Sequence, residues 1–147
     1  MPWDYTITVV ATAAAVIACV VLHYEGLRLL SETLPLPHIR HRARIVVLIL
    51  GLIALHICEI WVFGIGYYLL LGFVEAGALE GSGAISLLDC VYYSASVFTT
   101  LGFGDIVPKG AIRFMTGTEA IAGLTLITWS ASYTFLFMQK MWDFDEH

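Results

Sequence analysis

Charge is scarce in this sequence. Asp, Glu, Lys and Arg make up only 13% of 147 residues, and they gather in short stretches instead of spreading over a surface. The hydrophobic share is 59%, against roughly 45–50% in soluble domains, so lipid is the expected solvent. A net charge of -5 leaves no basic face for nucleic acid. Cysteine is sparse as well. Cys19, Cys58 and Cys90 form no CxxC pair and no metal-ligand spacing, and three cannot close an intrachain framework. Cys19 and Cys58 read as small apolar packing residues, whereas Cys90 falls near the water-facing end of its segment.

What is present is a series of apolar runs. Residues 5–22 carry no charge and are about long enough to cross the hydrocarbon core as a helix. No basic stretch precedes them, which favours a first span over a signal peptide. Residues 31–44, with two prolines and three arginines, read as a basic loop in water. A second apolar run covers 45–73, interrupted by His56 and Glu59. Residues 74–84 are glycine-rich and acidic, a loop, and 85–98 are apolar but too short to span, which suits a re-entrant or buried helix. The last span is 113–139, broken internally by Glu119 alone, and a short acidic tail follows Lys140 with no room for a ligand-binding domain.

Lys and Arg favour the cytoplasmic side of short loops. Three spans put Arg28, Arg40, Arg42, Arg44 and Lys140 on one side and Lys109 and Arg113 on the other. The first loop and the C-terminus are therefore expected in the cytoplasm, with the N-terminus and residues 74–113 outside. Trp3, Tyr5 and Trp142 lie near span ends, where amphipathic rings anchor to the interface.

The stretch with chemical content is 92–108, YYSASVFTTLGFGDIVP. Irregular backbone at membrane depth must be buried in protein or line water, because unpaired peptide groups in lipid are costly. Rings of backbone carbonyls can replace the hydration shell of a cation. Gly102 and Gly104 reach conformations closed to residues with a Cβ, which lets successive carbonyls of Thr100, Leu101, Gly102, Phe103 and Gly104 face one axis. Thr100 adds a hydroxyl at the inner mouth, while Leu101 and Phe103 are expected to turn their side chains away and set the width. Thr99 and Asp105 flank and support the segment. The preceding helix aims its partially negative C-terminal end at the same place.

These residues resemble the potassium-channel pore family: TTLGFGD is similar to its TVGYG-type signature, Pro108 and Arg113 follow where that architecture has equivalents, and Gly123 looks like its inner-helix hinge. The resemblance covers residues 45–138. More narrowly, the chain looks like small prokaryotic ion-channel proteins with one N-terminal span before a two-helix pore, in a cell inner membrane. It implies an N-terminal helix and basic loop (1–44), then a pore domain (45–140) with outer helix 45–73, pore helix 86–99, filter 100–105 and inner helix 113–140, and a short tail (141–147). It also implies K+ held at Thr100, Leu101, Gly102 and Phe103 as the permeant ion, no cofactor and no catalysis. Leu101 stands where valine or isoleucine is common, and its unbranched Cβ packs differently behind the filter. Phe103 lacks a tyrosine's hydroxyl.

Several further residues have two readings. Glu119 either hydrogen-bonds to the pore helix or filter, or anchors a helix near the interface. His56 and Glu59 share one helix face, as a proton-sensitive element or as a polar clasp between the second span and the first. Leu124, Ile127, Ala131 and Phe135 recur below Gly123 as a stripe for the central cavity, or as packing; Trp129, off that stripe, is expected on the outer helix. Glu75, Glu80 and Asp89 either concentrate cations outside or simply solvate the loop.

The expected fold is thus an all-α membrane protein, three transmembrane helices with a re-entrant pore helix and filter loop, assembled in lipid as a homotetrameric pore. A related chain could share the ring as a heteromeric partner. A poorly selective cation channel, a nonconducting structural or sensory subunit, and a metal or haem protein using His23 and His56 are the alternatives. With no arginine-repeat voltage helix and no nucleotide or calcium domain, gating is left to pH, lipid, tension or constitutive opening.

Overall fold

The computed structural model describes residues 2–33, 41–81, 83 and 86–143, with the side chains of 2, 41, 42 and 141–143 left aside. Four helices and two short strands follow in the order α1 (Pro2–Thr33), α2 (His41–Phe73), β1 (Gly77–Glu80), α3 (Leu87–Phe98), β2 (Val107–Gly110) and α4 (Ile112–Asp143). Three of the helices are long and apolar enough to cross a membrane: Trp3–Thr33, Ala43–Phe73 and Ile112–Lys140. This is an all-α membrane architecture. A 32-residue helix rises about 48 Å against a hydrocarbon core of about 30 Å, so each long helix tilts or projects into water. At most 22% of the apolar window of each span is buried within the chain, which leaves most of that surface for lipid or for neighbouring chains.

α1 extends past the expected span. The helix runs past residue 22 and takes in residues 31–33, given to a loop on sequence grounds, to end at Thr33. Arg28 lies beside Glu25 and Glu32 one turn before and after it, at 3.6 and 3.0 Å, and such spacings support an exposed helical end. α2 likewise begins at His41, inside the expected basic loop. Arg40 and the tail beyond residue 143 lie outside the described residues, as do the side chains of Arg42 and Trp142.

α1 packs on α2 and α4, and α3 sits between α2 and α4. The core at this junction is built from Phe63, Tyr67, Cys90, Tyr93, Phe98, Ile112, Met115 and Leu126, with Cys19 reaching in from α1. Gly64 lets α3 approach α2 closely, since a Cβ there would meet the Val91 backbone at 2.9 Å. Cys90 and Cys19 are buried, whereas Cys58, read as a small apolar packing residue, is exposed on α2 in the single chain. An apolar thiol on a helix in lipid needs no protein neighbour.

The segment expected as loop between α2 and α3 contains β1, which pairs antiparallel with β2 in the register Gly77↔Gly110, Ala78↔Lys109, Leu79↔Pro108, Glu80↔Val107. Four residues, GALE, show too little alternation to announce a strand. Its partner lies some thirty residues on, and Pro108, which has no N–H to donate, is tolerated because β2 is an edge. The strand pair closes a bracket around α3 and the residues that follow it. Glu80 faces Lys109 at 3.5 Å, and Asp89 forms a capping box with Ser86 at the start of α3. Of Glu75, Glu80 and Asp89, the last two are therefore engaged locally.

Candidate functional site

The site begins at the C-terminal end of α3. Ser86 starts that helix, and Thr99, at φ -79 and ψ -2, ends it. Beyond this point the backbone alternates in hand. Thr100, Gly102 and Gly104 have φ of 58, 59 and 80, whereas Leu101 and Phe103 are not in the positive region. Glycine enters this region freely, but Thr100 does so against its Cβ, at a cost of roughly 1–3 kcal/mol that surrounding structure must offset. Alternating hand gathers successive N–H groups on one side of the chain. Here they turn back to α3: Thr100 N–H donates to the Val97 carbonyl (2.9 Å), Gly102 N–H to the Ser96 carbonyl (3.1 Å) and Phe103 N–H to Ser96 Oγ (3.2 Å). These three donors hold one side of the segment to α3, and its other side is open in the single chain. Gly102 and Gly104 are exposed, and Leu101 and Phe103 are each 61% exposed.

Asp105 closes the segment. Tyr92 donates its hydroxyl to Asp105 Oδ2 at 2.7 Å, and Ile106 N–H donates to Oδ1 at 3.0 Å. The Tyr92 ring also lies parallel to that of Phe103, with centroids 6.2 Å apart. Hydrogen bonding to Asp105, then burial, raises the Tyr92 phenol above its ordinary value, so it stays a donor throughout the physiological range. The hydroxyl that Phe103 lacks is thus supplied next to the segment by Tyr92.

Behind α3 stands Glu119, fully buried. Its two oxygens accept from Tyr67 of α2 at 2.6 Å and from Ser94 of α3 at 2.5 Å. Ser94 Oγ also reaches the Ile60 carbonyl at 2.9 Å. Tyr67 in turn meets Tyr93 edge to face, with centroids 5.1 Å apart, and Tyr93 shares a 3.0 Å hydrogen bond with Thr116. Three helices are therefore joined by one carboxylate, whose partner Ser94 lies two residues before Ser96, the residue that holds the alternating backbone. Gly123, expected as a hinge, lies in the unbroken helix α4 against the end of α3; an added Cβ would collide with the Phe98 carbonyl. The position requires a glycine for close approach, whatever else it does. Leu124, Ala131 and Phe135 are exposed in the single chain, while Ile127 is partly buried against the core.

A second polar cluster lies below. Glu59, fully buried, faces His23 of α1 through Oε1 and His56 of its own helix through Oε2, both at 2.8 Å. The far nitrogens of both rings face Ser130 Oγ of α4, at 3.4 Å for His23 and 3.1 Å for His56. Cys19 Sγ donates to the Glu59 carbonyl at 3.7 Å. The Trp129 ring lies tilted by 43° against that of His23, with centroids 5.0 Å apart, and lines a groove with Tyr24, Leu27, Arg28, Ser31 and Tyr133. It therefore packs on α1 and not on the outer helix as expected, because the additional N-terminal helix occupies that flank of α4.

Sequence reasoning missed Tyr92, Ser94 and Ser96 on α3, Tyr67 on α2, and Ser130 on α4. Polar residues at positions 92 and 96, one turn apart and directly before the glycines, were the available signal for two of them. Tyr67 and Ser130 become visible only through long-range packing. A protein-family model described as "Ion channel" matches residues 44–140. No curated protein and no solved structure matches the chain. The matched stretch takes in α2, the strand pair, α3, the alternating backbone and nearly all of α4, about two thirds of the sequence. On that match the chain belongs to the ion channel family.

Proposed function

We propose that this chain is one subunit of a homotetrameric, potassium-selective channel that passes K+ down its electrochemical gradient without catalysis. The observation that carries the reading is the alternating backbone at residues 100–104, with the N–H groups of Thr100, Gly102 and Phe103 tied to α3. A single strand of carbonyls cannot encircle an ion, whereas four strands around an axis supply rings that substitute for the hydration shell. The carbonyls of Thr100, Leu101, Gly102 and Phe103 and the Thr100 hydroxyl are the assigned K+ ligands. The exposed Leu101 side chain then packs against a neighbouring subunit. The C-terminal end of α3 adds its partial negative charge. Glu119 fixes α3 against α2 and α4, and the stripe Leu124, Ala131 and Phe135 lines the cavity below.

In this reading the basic connection between α1 and α2 and the C-terminal end of α4 face the cytoplasm, and the strand pair faces outside, in a prokaryotic inner membrane. Proteoliposomes under opposing potassium and sodium gradients test the proposal, with Gly102→Ala as control. Potassium-dominated flux that the variant loses supports it. Equal sodium flux would make the protein a general cation pore, and absent flux at every pH and voltage tried would favour a nonconducting subunit.

A further inference from the structure

We infer that His23, His56 and Glu59 form a binding site for a divalent transition metal of the zinc class, apart from the ion path and tying α1 to the pore helices. Their donor atoms all lie within 4.8 Å of one another, and His23 and Glu59 are fully buried. Two imidazoles and a carboxylate are a donor set that suits zinc, with one position left for water. His56 and Glu59 present their donors from one face of α2, and His23 brings the third across from α1.

Hydrogen bookkeeping supports a bound cation. A carboxylate only accepts, so both Nδ1 atoms at 2.8 Å must carry hydrogens if the cluster is metal-free. Both neutral rings then present a bare Nε2 to Ser130, whose hydroxyl has one hydrogen for the two. One ring nitrogen is left without a donor inside the protein, where that is costly. A metal on the Nδ1 side resolves the count. The hydrogens move to the Nε2 atoms, the two lone pairs of Ser130 accept both, and the serine hydrogen turns to its own helix backbone. Ser130 then plays the orienting part that an outer partner plays for metal-bound histidines. Two donors on a tetrahedral zinc sit about 3.3 Å apart, so each 2.8 Å contact opens by about half an ångström. His56, with 19% of its side chain exposed, is the edge by which an ion enters. An extra proton on the cluster would balance the same count, and the test separates the two.

The probe is cobalt(II), added to the full chain in lipid nanodiscs after chelator treatment. The expected result is one Co2+ per chain with visible d–d bands, displaced by Zn2+, and an unfolding temperature raised by either metal. His23→Gln and Glu59→Gln remove the binding, and Ser130→Ala, which keeps all three donors, weakens it about 10–100-fold. Should the first two variants fail to fold, the wild type and Ser130→Ala carry the test. Absence of Co2+ uptake by the wild type overturns the site. So does uptake unchanged in His23→Gln and Ser130→Ala, which would place the ion on His38, His41 or His147. A histidine nitrogen NMR signal for one imidazolium per chain without cobalt uptake assigns the cluster to a proton instead. Flux is not among the readouts, so a protein that conducts no ion still reports on the metal.

Discussion

Replacing Glu119 separates a hydrogen-bonding role from a role of bulk or charge. In Glu119→Leu both short contacts vanish. Ser94 keeps the Ile60 carbonyl at 2.9 Å, so its loss is one bond of about 1 kcal/mol. Tyr67 keeps only Thr116 at 3.4 Å, a poor partner, and a buried hydroxyl without a good acceptor costs about 1–3 kcal/mol. The sum is about 2–4 kcal/mol, or roughly 5–12 °C in unfolding temperature for a chain of this size. Glu119→Gln behaves differently. Its amide oxygen accepts from Tyr67, and its NH2 donates to Ser94 Oγ while Ser94 goes on donating to Ile60. The loss is then below about 1 kcal/mol. Calorimetry or fluorescence-monitored unfolding in detergent reads both, and cation flux reads the consequence at Ser96, two residues after Ser94. A Leu variant as stable and as selective as the wild type, or a Gln variant as damaged as Leu, would refute the reasoning.

Four further outcomes follow from the same geometry. Gly123→Ala forces a Cβ into the Phe98 carbonyl, where backbone cannot give way as a flexible side chain would, and should destabilise by about 1–3 kcal/mol in thermal unfolding. Tyr92→Phe removes the 2.7 Å bond to Asp105 and is expected to shorten sustained flux while leaving assembly unchanged on native mass spectrometry. For the wild type, the Tyr92 phenol is raised from 10.0. The stability it contributes is thus present below the ordinary tyrosine value and lost as pH rises through the higher folded one, so flux should hold to about pH 10. Native mass spectrometry of the wild type should give four times the chain mass, and a monomer in mild detergent would contradict the ring.

The long helices were legible because nothing but lipid explains apolar runs of that length, and α3 was legible from an apolar run too short to span. Their ends were not. Helix α1 continues to Thr33 on ion pairs that hydropathy ignores, and β1 depends on a partner far along the chain. In the site, the glycines announced unusual backbone, but not that Thr100 shares it. Glu119 stood out as a charge in an apolar span, and the structure gives it partners on two helices. His56 and Glu59 stood out for the same reason. His23 was noted only as a distant metal or haem ligand, and its place on Glu59, like that of Trp129 on α1, came from the packing of three helices that a one-dimensional pattern does not contain.

The central claim is that the backbone of residues 100–104 selects potassium. Its most direct test is the reversal potential of purified protein in a planar bilayer with potassium on one side and sodium at equal concentration on the other. The account predicts a reversal displaced far toward the potassium equilibrium potential, and none of that displacement in Gly102→Ala. A wild-type current reversing near zero would contradict it.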